Sequence, residues 1–249
     1  MIKFKTPAEI EAMKPACQLS AKVLRKVGDL IRPGVSTLEL DSFAENLIRL
    51  EGGEPAFKGY RGYPFSICAS VNDQIVHGLP SRSVVLVEGD IISIDVGAVV
   101  NGWIGDNAAT FAVGRVSAEK QKLLEVTEAS MWKGIEAALA GGHLGDIGHA
   151  VQSTAQAAGF GVVYQYVGHG IGTDMHEEPN VPNFGQKGKG IVLRPGLVIA
   201  IEPMINMGSA DTRGPFADGW TVYTVDGLPS AHFERTVAIT EDGPVVLTV

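Results

Sequence analysis

Apolar residues at helical spacing dominate the first fifty positions of the chain. The segment 6–9 reads Thr-Pro-Ala-Glu, which combines a capping box with a proline in the first helical turn. Because Pro15 interrupts the pattern that follows, we predict a short helix and then a longer one over 16–31. A second capping box at 36–39 opens an amphipathic helix that ends near residue 50.

The later parts of the chain alternate between strand-like and helical patterns. Ser117 opens a long helical pattern to about residue 140, and Asp146 caps a further helix that ends near residue 159. Short runs rich in β-branched residues predict strands at 66–71, 83–87, 91–98, 161–166, 197–201, 220–225 and 232–240. In both halves of the chain, two predicted helices are therefore followed by predicted strands.

The two halves also share a local pattern. In both 89–95 and 196–202 a carboxylate stands six positions after a glycine, at the end of an apolar run, and a His-Gly pair lies upstream. Apolar strands that begin after glycine are common, so the runs alone are also compatible with unrelated strands. With the His-Gly pairs, we infer an internal duplication with halves of about 1–115 and 116–249. No low-complexity linker separates them, so we expect a single domain over 1–249.

Composition narrows the class of protein. Hydrophobic residues make up 45% and charged residues 19% of the 249 positions, which is enough for a sizeable core. The net charge of −8 argues against nucleic acid or an anionic membrane as the main partner. No apolar run reaches the ~20 residues of a membrane span, and the first residues do not resemble a signal peptide. We therefore expect a cytoplasmic protein.

Two aspartates follow from the geometry of a predicted hairpin. The Asn-Gly pair at 101–102 predicts a two-residue turn. In the register that this turn sets, Asp95 lies opposite Ala108, and Asp106 projects from the same face. A bulge at Gly105 would change that register, and Asp95 alone could be an ordinary turn or helix-capping residue. Two carboxylates that converge repel unless a cation or a proton lies between them.

Three further residues complete a candidate metal site. His169 lies in the glycine-rich segment 168–172, Glu202 ends an apolar run, and Glu234 lies within a predicted strand. Individually, His169 could be a turn histidine and Glu234 an edge-strand partner of Arg235. Together, four acids and one imidazole suit a pair of divalent first-row ions, which can activate water for hydrolysis. The glycine-rich segment lacks the lysine of a phosphate loop, and no nucleophile-elbow motif is present.

These five residues, in this order, resemble the metal ligands of the type I methionine aminopeptidases. The resemblance extends over essentially the whole chain. It implies an α+β protein of the pita-bread fold, with two pseudo-symmetric helix-helix-strand halves around a curved antiparallel sheet. The segments that carry it are KTPAEIEAM, PGVSTLELD, GYPFSICASVNDQIVHGLP, IDVGAVVNGWIGDNAATF, GHGIGTDMHEEPNVPNF, PGLVIAIEPMIN and DGWTVYTVDG.

The resemblance implies a role for each matching residue. Two divalent ions (cobalt, manganese, iron or zinc) are expected, bridged by Asp106 and Glu234. Glu202 is expected to accept a proton in addition to binding metal. The implied metal ligands are Asp95, Asp106, His169, Glu202 and Glu234; the implied catalytic residues are His77, His176 and Glu202; the implied substrate-binding residues are His77, His176, Tyr60, Tyr63, Cys68, Trp220, Phe57 and Met175.

Three positions depart from the family pattern. Phe57 stands where some members carry cysteine, Met175 where an aromatic residue is frequent, and Arg235 where some relatives have histidine. These departures affect the expected shape of the pocket and leave the five implied metal ligands in place. Only 202 − 169 = 33 positions separate the ligands His169 and Glu202, which leaves no room for the insertion of the type II enzymes.

The activity implied is removal of the N-terminal methionine from nascent proteins and peptides that have a small second residue. The expected partner is a peptide or nascent-chain N-terminus, with transient ribosome contact and a monomeric enzyme. Two alternatives remain open at this point. One is an Xaa-Pro aminopeptidase or prolidase, which has the same five ligands, and the other is a non-catalytic peptide-binding module on the same fold.

Overall fold

The computed structural model describes residues 1–249 and contains four long helices. The first, Pro7–Gly28 (α1), runs unbroken through Pro15, so the predicted interruption is wrong. Pro15 lies on the exposed side of α1, where water can satisfy the backbone carbonyl that proline leaves without a donor. The opposite side, which includes Met13 and Cys17, is buried against the sheet, and the helix continues past Pro15.

The other helices are Thr37–Leu50 (α2), Ala118–Ala137 (α3) and Leu144–Ala157 (α4). The predicted capping box of α2 is confirmed, and α3 begins after Ser117 as predicted. Helix α4 begins after His143 and not at Asp146. Asp146 instead accepts the His143 backbone N–H from inside the first turn, at 2.7 Å.

Fifteen strands accompany these helices, several of them only two or three residues long. The segment 83–87 forms no strand, because Val85 makes only an isolated bridge to Ser36 and its side chain is exposed. In chain order the strands are Glu54–Pro55 (β1), Ile67–Val71 (β2), Gln74–Val76 (β3), Ile91–Val100 (β4), Trp103–Ala112 (β5), Gly161–Val162 (β6), Gly168–Gly170 (β7), Glu177–Val181 (β8), Val198–Ile201 (β9), Met204–Asn206 (β10), Thr212–Arg213 (β11), Val222–Thr224 (β12), Ser230–His232 (β13), Glu234–Thr240 (β14) and Gly243–Val246 (β15).

Nine strands form one curved antiparallel sheet in the order β1-β4-β5-β14-β9-β7-β8, with β2 beside β4 and β15 beside β14. Two small sheets, β13-β10-β6 and β11-β12-β3, complete the molecule. The predicted run 232–240 is divided at Phe233, where the chain leaves β13 in a small sheet and enters β14 in the main one. That step places Glu234 at the centre of the main sheet, between β5 and β9.

The register of the central hairpin agrees with the prediction. Val100 pairs with Trp103 and Asp95 pairs with Ala108, with no bulge at Gly105. Gly105 instead allows α1 to approach, since a Cβ atom there would lie 2.4 Å from the Cα atom of Cys17.

The hydrophobic core joins the helices to the main sheet through residues such as Val23 of α1, Ile94 of β4 and Ile135 of α3. The predicted α+β fold, with helices outside a curved antiparallel sheet, is confirmed. None of the helices has the length and apolar content that crossing a membrane requires.

Candidate active site

Three neighbouring strands bring carboxylates into one row across the main sheet. Ala108 of β5 pairs with Asp95 of β4 on one side and with Glu234 of β14 on the other. Because alternate residues of a strand share a face, Asp106 projects beside this row. The small side chain of Ala108 leaves the space between the acids open. We refer to Asp95, Asp106, Glu202 and Glu234 as the acidic cluster.

His169 faces the acidic cluster from β7. Its Nδ1 lies 2.9 Å from the carbonyl oxygen of Gly170, which can only accept, so Nδ1 carries the proton. The lone pair of Nε2 therefore faces Asp106 Oδ2 at 3.7 Å and Glu202 Oε1 at 3.5 Å. The ligand atoms of Asp106, His169 and Glu234 all lie within 4.8 Å of one another. An imidazole lone pair between carboxylate oxygens is the arrangement expected around a cation.

Burial makes the acidic cluster unfavourable without a positive charge. It raises the pKa of Asp106 to about 7, although hydrogen bonds from the Asn107 backbone and with Asp95 oppose the rise. It also raises the pKa values of Asp95, Glu202 and Glu234 well above the ordinary range, and for these three acids repulsion from neighbouring carboxylates is the next cause. One oxygen of Asp95 and one of Glu234 are buried with no hydrogen-bond partner. Such atoms cost about 1–3 kcal/mol each when left unsatisfied. Bound divalent metal would remove this penalty, so the donor set fits the metal that the sequence implies.

The acidic cluster and His169 lie at the bottom of a cavity of about 150 Å³. One side is apolar and mostly buried, and we call it the apolar wall. All thirteen site residues predicted from the sequence line this one cavity, together with Arg61, which the sequence did not indicate. The apolar wall consists of Phe57, Tyr63, Cys68, Met175 and Trp220.

Two further histidines face the cavity. The Nδ1 atom of His176 lies 2.8 Å from the Tyr60 hydroxyl, and the two rings stack with centroids 5.3 Å apart. His77 contacts the rings of Trp220 and Tyr166 edge-on. Burial is the main reason that the pKa of His77 falls to about 4 and that of His176 falls below its usual value. Both rings are therefore neutral at pH 7.

Two residues at or near the site, His232 and Arg61, were not predicted from the sequence. His232 is buried with Nε2 unpartnered, 3.6 Å from Glu202 Oε2. The sequence offered one indication that His232 belongs to the site. It stands two residues before Glu234, and residues at that spacing can share a strand face. Arg61 lies between the predicted pocket residues Tyr60 and Tyr63, and that proximity in sequence was the only indication.

Arg235 lies outside the cavity. Its guanidinium donates to Asn107 Oδ1 at 2.7 Å and to the carbonyl oxygens of Ala108 and Glu234. The alternative in which Glu234 and Arg235 form an edge-strand ion pair is therefore wrong, because β14 is an interior strand and the two side chains point to opposite faces.

Comparison with known proteins agrees with this geometry. The model of metallopeptidase family M24 matches residues 11–241. Methionine aminopeptidase 1 of Bacillus subtilis is 50% identical over 248 residues, which cover 100% of this chain and 99% of that protein. The crystal structure of methionine aminopeptidase from Rickettsia prowazekii superposes with a TM-score of 0.98 at 40% identity, with both chains fully covered.

The prolidase of Pyrococcus furiosus is more distant. It superposes with a TM-score of 0.78 at 25% identity, and the match covers 99% of this chain and 65% of the prolidase. The predicted family and the predicted metallo-aminopeptidase class are confirmed. The chain therefore belongs to metallopeptidase family M24, among its methionine aminopeptidases.

Proposed function

We propose that this protein uses two divalent metal ions to remove the N-terminal methionine from nascent proteins and peptides whose second residue is small. One observation carries the proposal. An imidazole lone pair and a buried acidic cluster, with two unpartnered carboxylate oxygens, lie at the bottom of a cavity with an apolar wall. The relatives in Bacillus subtilis and Rickettsia prowazekii are named methionine aminopeptidases.

The balance of charge supports two ions. Four ionised carboxylates carry four negative charges, no Lys or Arg side chain lies within 4.0 Å of them, and two divalent cations balance them. Asp95, Asp106, His169, Glu202 and Glu234 would hold the ions. When bound, the ions supply an activated water and positive charge for the oxyanion that develops. Cobalt, manganese, iron and zinc all accept this donor set.

Side chains around the cavity would complete the reaction. Glu202, whose side chain keeps 14% exposure, would accept a proton and pass it to the leaving amine. With the Tyr60 hydroxyl donating to Nδ1 of His176, the Nε2 proton of that neutral ring can donate to the oxygen of the scissile carbonyl. His77 would contact the substrate beside the scissile amide.

The apolar wall would select the first side chain. Its aromatic and sulfur-containing residues suit an unbranched thioether, which bends to fill an irregular space. Phe57 and Met175, the two departures from the family pattern that face the cavity, are part of this wall. The cavity is small, so a peptide whose first side chain fills it leaves little space beside the scissile bond for the second. A small second residue is the consequence that we propose.

We propose a cytoplasmic monomer that acts on peptide and nascent-chain N-termini and contacts the ribosome transiently. Xaa-Pro hydrolysis is the second candidate, because prolidases share the fold. Methionine removal is favoured, since this chain is 40% identical to the methionine aminopeptidase with a TM-score of 0.98 and 25% identical to the prolidase with a TM-score of 0.78. A non-catalytic peptide-binding module is disfavoured, because the complete acidic cluster is retained.

A side-by-side assay tests the proposed reaction. Met-Ala-Ser and an Xaa-Pro dipeptide are incubated with the protein and each candidate metal, and the free first residue is measured. We expect release of methionine and no cleavage of the Xaa-Pro peptide. Cleavage of the Xaa-Pro peptide alone would assign the chain to the prolidases, and metal binding without turnover of either peptide would indicate a binding module.

A further inference from the structure

We propose that Arg61 makes the enzyme prefer peptides with an acidic third residue. The inference rests on the proposed function and adds a substrate class to it. It concerns the rim of the cavity, which we define as Tyr60, Arg61 and His176. No role was assigned to Arg61 from the sequence, although it lines the same cavity as the thirteen predicted residues.

The backbone around Arg61 forms a tight, hydrogen-bonded turn. Arg61 has a φ of +50°, and Gly59 and Gly62 on either side have φ of +89°. The N–H of Gly62 donates to the carbonyl oxygen of Gly59 at 3.2 Å, and the N–H of Tyr63 to that of Tyr60 at 2.9 Å. A bonded turn limits the positions that the Arg61 side chain can reach.

Contacts of the side chain place its charge at the rim. The guanidinium carbon lies 5.2 Å from the centre of the Tyr60 ring, within the range of a cation–π contact. The same Tyr60 ring stacks on His176. The Arg61 charge also adds to burial in lowering the pKa of His176, which agrees with its location beside that ring.

The charge of Arg61 has no acidic partner in the structure. No carboxylate lies within 4.0 Å of its guanidinium, and it is the only Lys or Arg that lines the cavity. Asp174, two residues before His176 in the chain, is bound to Lys3 at 2.7 Å. Arginine forms paired hydrogen bonds with a carboxylate, so an exposed and unpaired guanidinium at the rim suits an acidic group of the substrate.

The path of a bound peptide indicates which residue meets Arg61. The first side chain enters the buried apolar wall, and the acidic cluster closes the bottom of the cavity, so the rest of the peptide leaves past the exposed rim. The second side chain must be small under the proposed function. The side chain of the third peptide residue is therefore the earliest one along the peptide that can bring a negative charge to Arg61.

Two matched peptides test this inference. Met-Ala-Asp-Gly amide and Met-Ala-Asn-Gly amide differ only in charge at the third residue, and the amide removes the terminal carboxylate. We expect kcat/KM for the Asp peptide to exceed that for the Asn peptide by about 2–5-fold at low salt, the range of an exposed ion pair. The preference should fall toward 1 in 0.5 M NaCl, because salt screens exposed charges.

Variants assign the preference to Arg61. We expect Arg61→Gln to bring the Asp/Asn ratio to about 1 and Arg61→Lys to retain part of it. Arg194→Gln is the matched control, because Arg194 is also exposed and lies 5.1 Å from the centre of an aromatic ring, that of Phe4. This control should keep the wild-type ratio.

The outcomes separate this inference from the proposed function. An Asp/Asn ratio of 1 in the wild-type enzyme, or a preference that persists in Arg61→Gln or in high salt, overturns the role of Arg61. In those cases release of methionine from the Asn peptide still supports the proposed reaction. If no methionine is released from either peptide, the proposed function fails and this inference fails with it. The salt titration needs only the wild-type protein, so a preference that persists in 0.5 M NaCl overturns the inference even if a variant does not fold.

Discussion

The carbonyl oxygen of Gly170 determines which nitrogen of His169 faces the acidic cluster. Because it accepts the Nδ1 proton at 2.9 Å, Nε2 must present a lone pair to Asp106 and Glu202. Burial also lowers the pKa of His169 to about 3, so the ring does not become cationic to relieve the acids. The acids are therefore either protonated or balanced by a bound cation, and divalent metal is the cation that this donor set fits.

The first prediction concerns Asp106, the acid at the centre of this group. Replacing Asp106 by Ala should lower metal affinity and methionine release together, each by at least about 100-fold, because even residues that only support a metal ligand contribute 10–100-fold. Metal content is measured after dialysis and activity with Met-Ala-Ser. Asp174→Ala, which removes an exposed aspartate, is the control and should change neither. Full activity with intact metal content in Asp106→Ala would contradict the bridging role.

The second prediction concerns His176 at the rim. His176→Ala should lower kcat by roughly 10²–10³, since a donor to the developing oxyanion is lost. Metal content should stay at the wild-type level. Loss of bound metal in this variant would instead identify His176 as a ligand, and unchanged kcat would remove it from the mechanism.

At the scale of elements, the segment before α1 is tied to the turn that carries His176. The Nζ atom of Lys5 lies 2.6 Å from Glu177 Oε2, and their side chains are only 4% and 2% exposed. Lys3 also reaches Glu177, at 3.1 Å, but from an exposed position. Burial raises the pKa of Glu177, and the lysine contacts outweigh that effect and lower it. The charged pair thus fixes one end of the His176 segment.

The third prediction compares these two lysines. Lys5→Met should destabilise the protein by about 3 kcal/mol, the lower end for a broken buried ion pair, because Lys3 still contacts Glu177. Lys3→Met should have little effect, since its partner keeps Lys5. Both are measured as changes in the free energy of unfolding from denaturant titration. Equal changes in the free energy of unfolding for the two substitutions would show that burial of Lys5 does not determine how much the ion pair stabilises the fold.

Some helices and strands could be predicted from the sequence and others could not. The β4–β5 register was predictable because the Asn-Gly turn fixes which residues pair, so Asp95 and Asp106 could be placed on one face. The break at Pro15 was wrong because burial of the opposite helix face outweighs one lost hydrogen bond. The strand at 83–87 was wrong because its β-branched pattern has no neighbouring strand to pair with.

The site residues that stand in the recognised motifs were predictable, whereas the side-chain contacts between distant segments were not. Tyr60 and His176 are 116 positions apart, and only tertiary packing brings their side chains together. Arg61 lies in a glycine-bounded turn with no apolar periodicity, so its place at the rim could not be read from the sequence. His232 was obscured because the chain changes sheets at Phe233.

For the whole molecule, the acidic cluster links stability to pH and metal. The pKa of Asp106 is about 7 in the metal-free fold, against about 4 for an ordinary aspartate. Between these values the folded state holds more protons than the unfolded state, so raising the pH through this window lowers stability. Metal binds the deprotonated carboxylates and reverses this loss.

The fourth prediction follows from that linkage. The difference in Tm between protein with Mn²⁺ and protein with EDTA should be small at pH 5 and should grow toward pH 8. At a free metal concentration of 100 Kd the stabilisation should be about 2.7 kcal/mol. Calorimetry at several pH values measures both series. A difference that does not change with pH would show that the acidic cluster does not bind the metal.

The central claim is that the acidic cluster and His169 hold two divalent ions on which methionine removal depends. Its most direct test is to titrate metal-free protein with Mn²⁺ while measuring bound metal and free methionine released from Met-Ala-Ser. We predict no release without metal and an activity that saturates with two ions bound per chain. Undiminished release of methionine from the metal-free protein would contradict the claim.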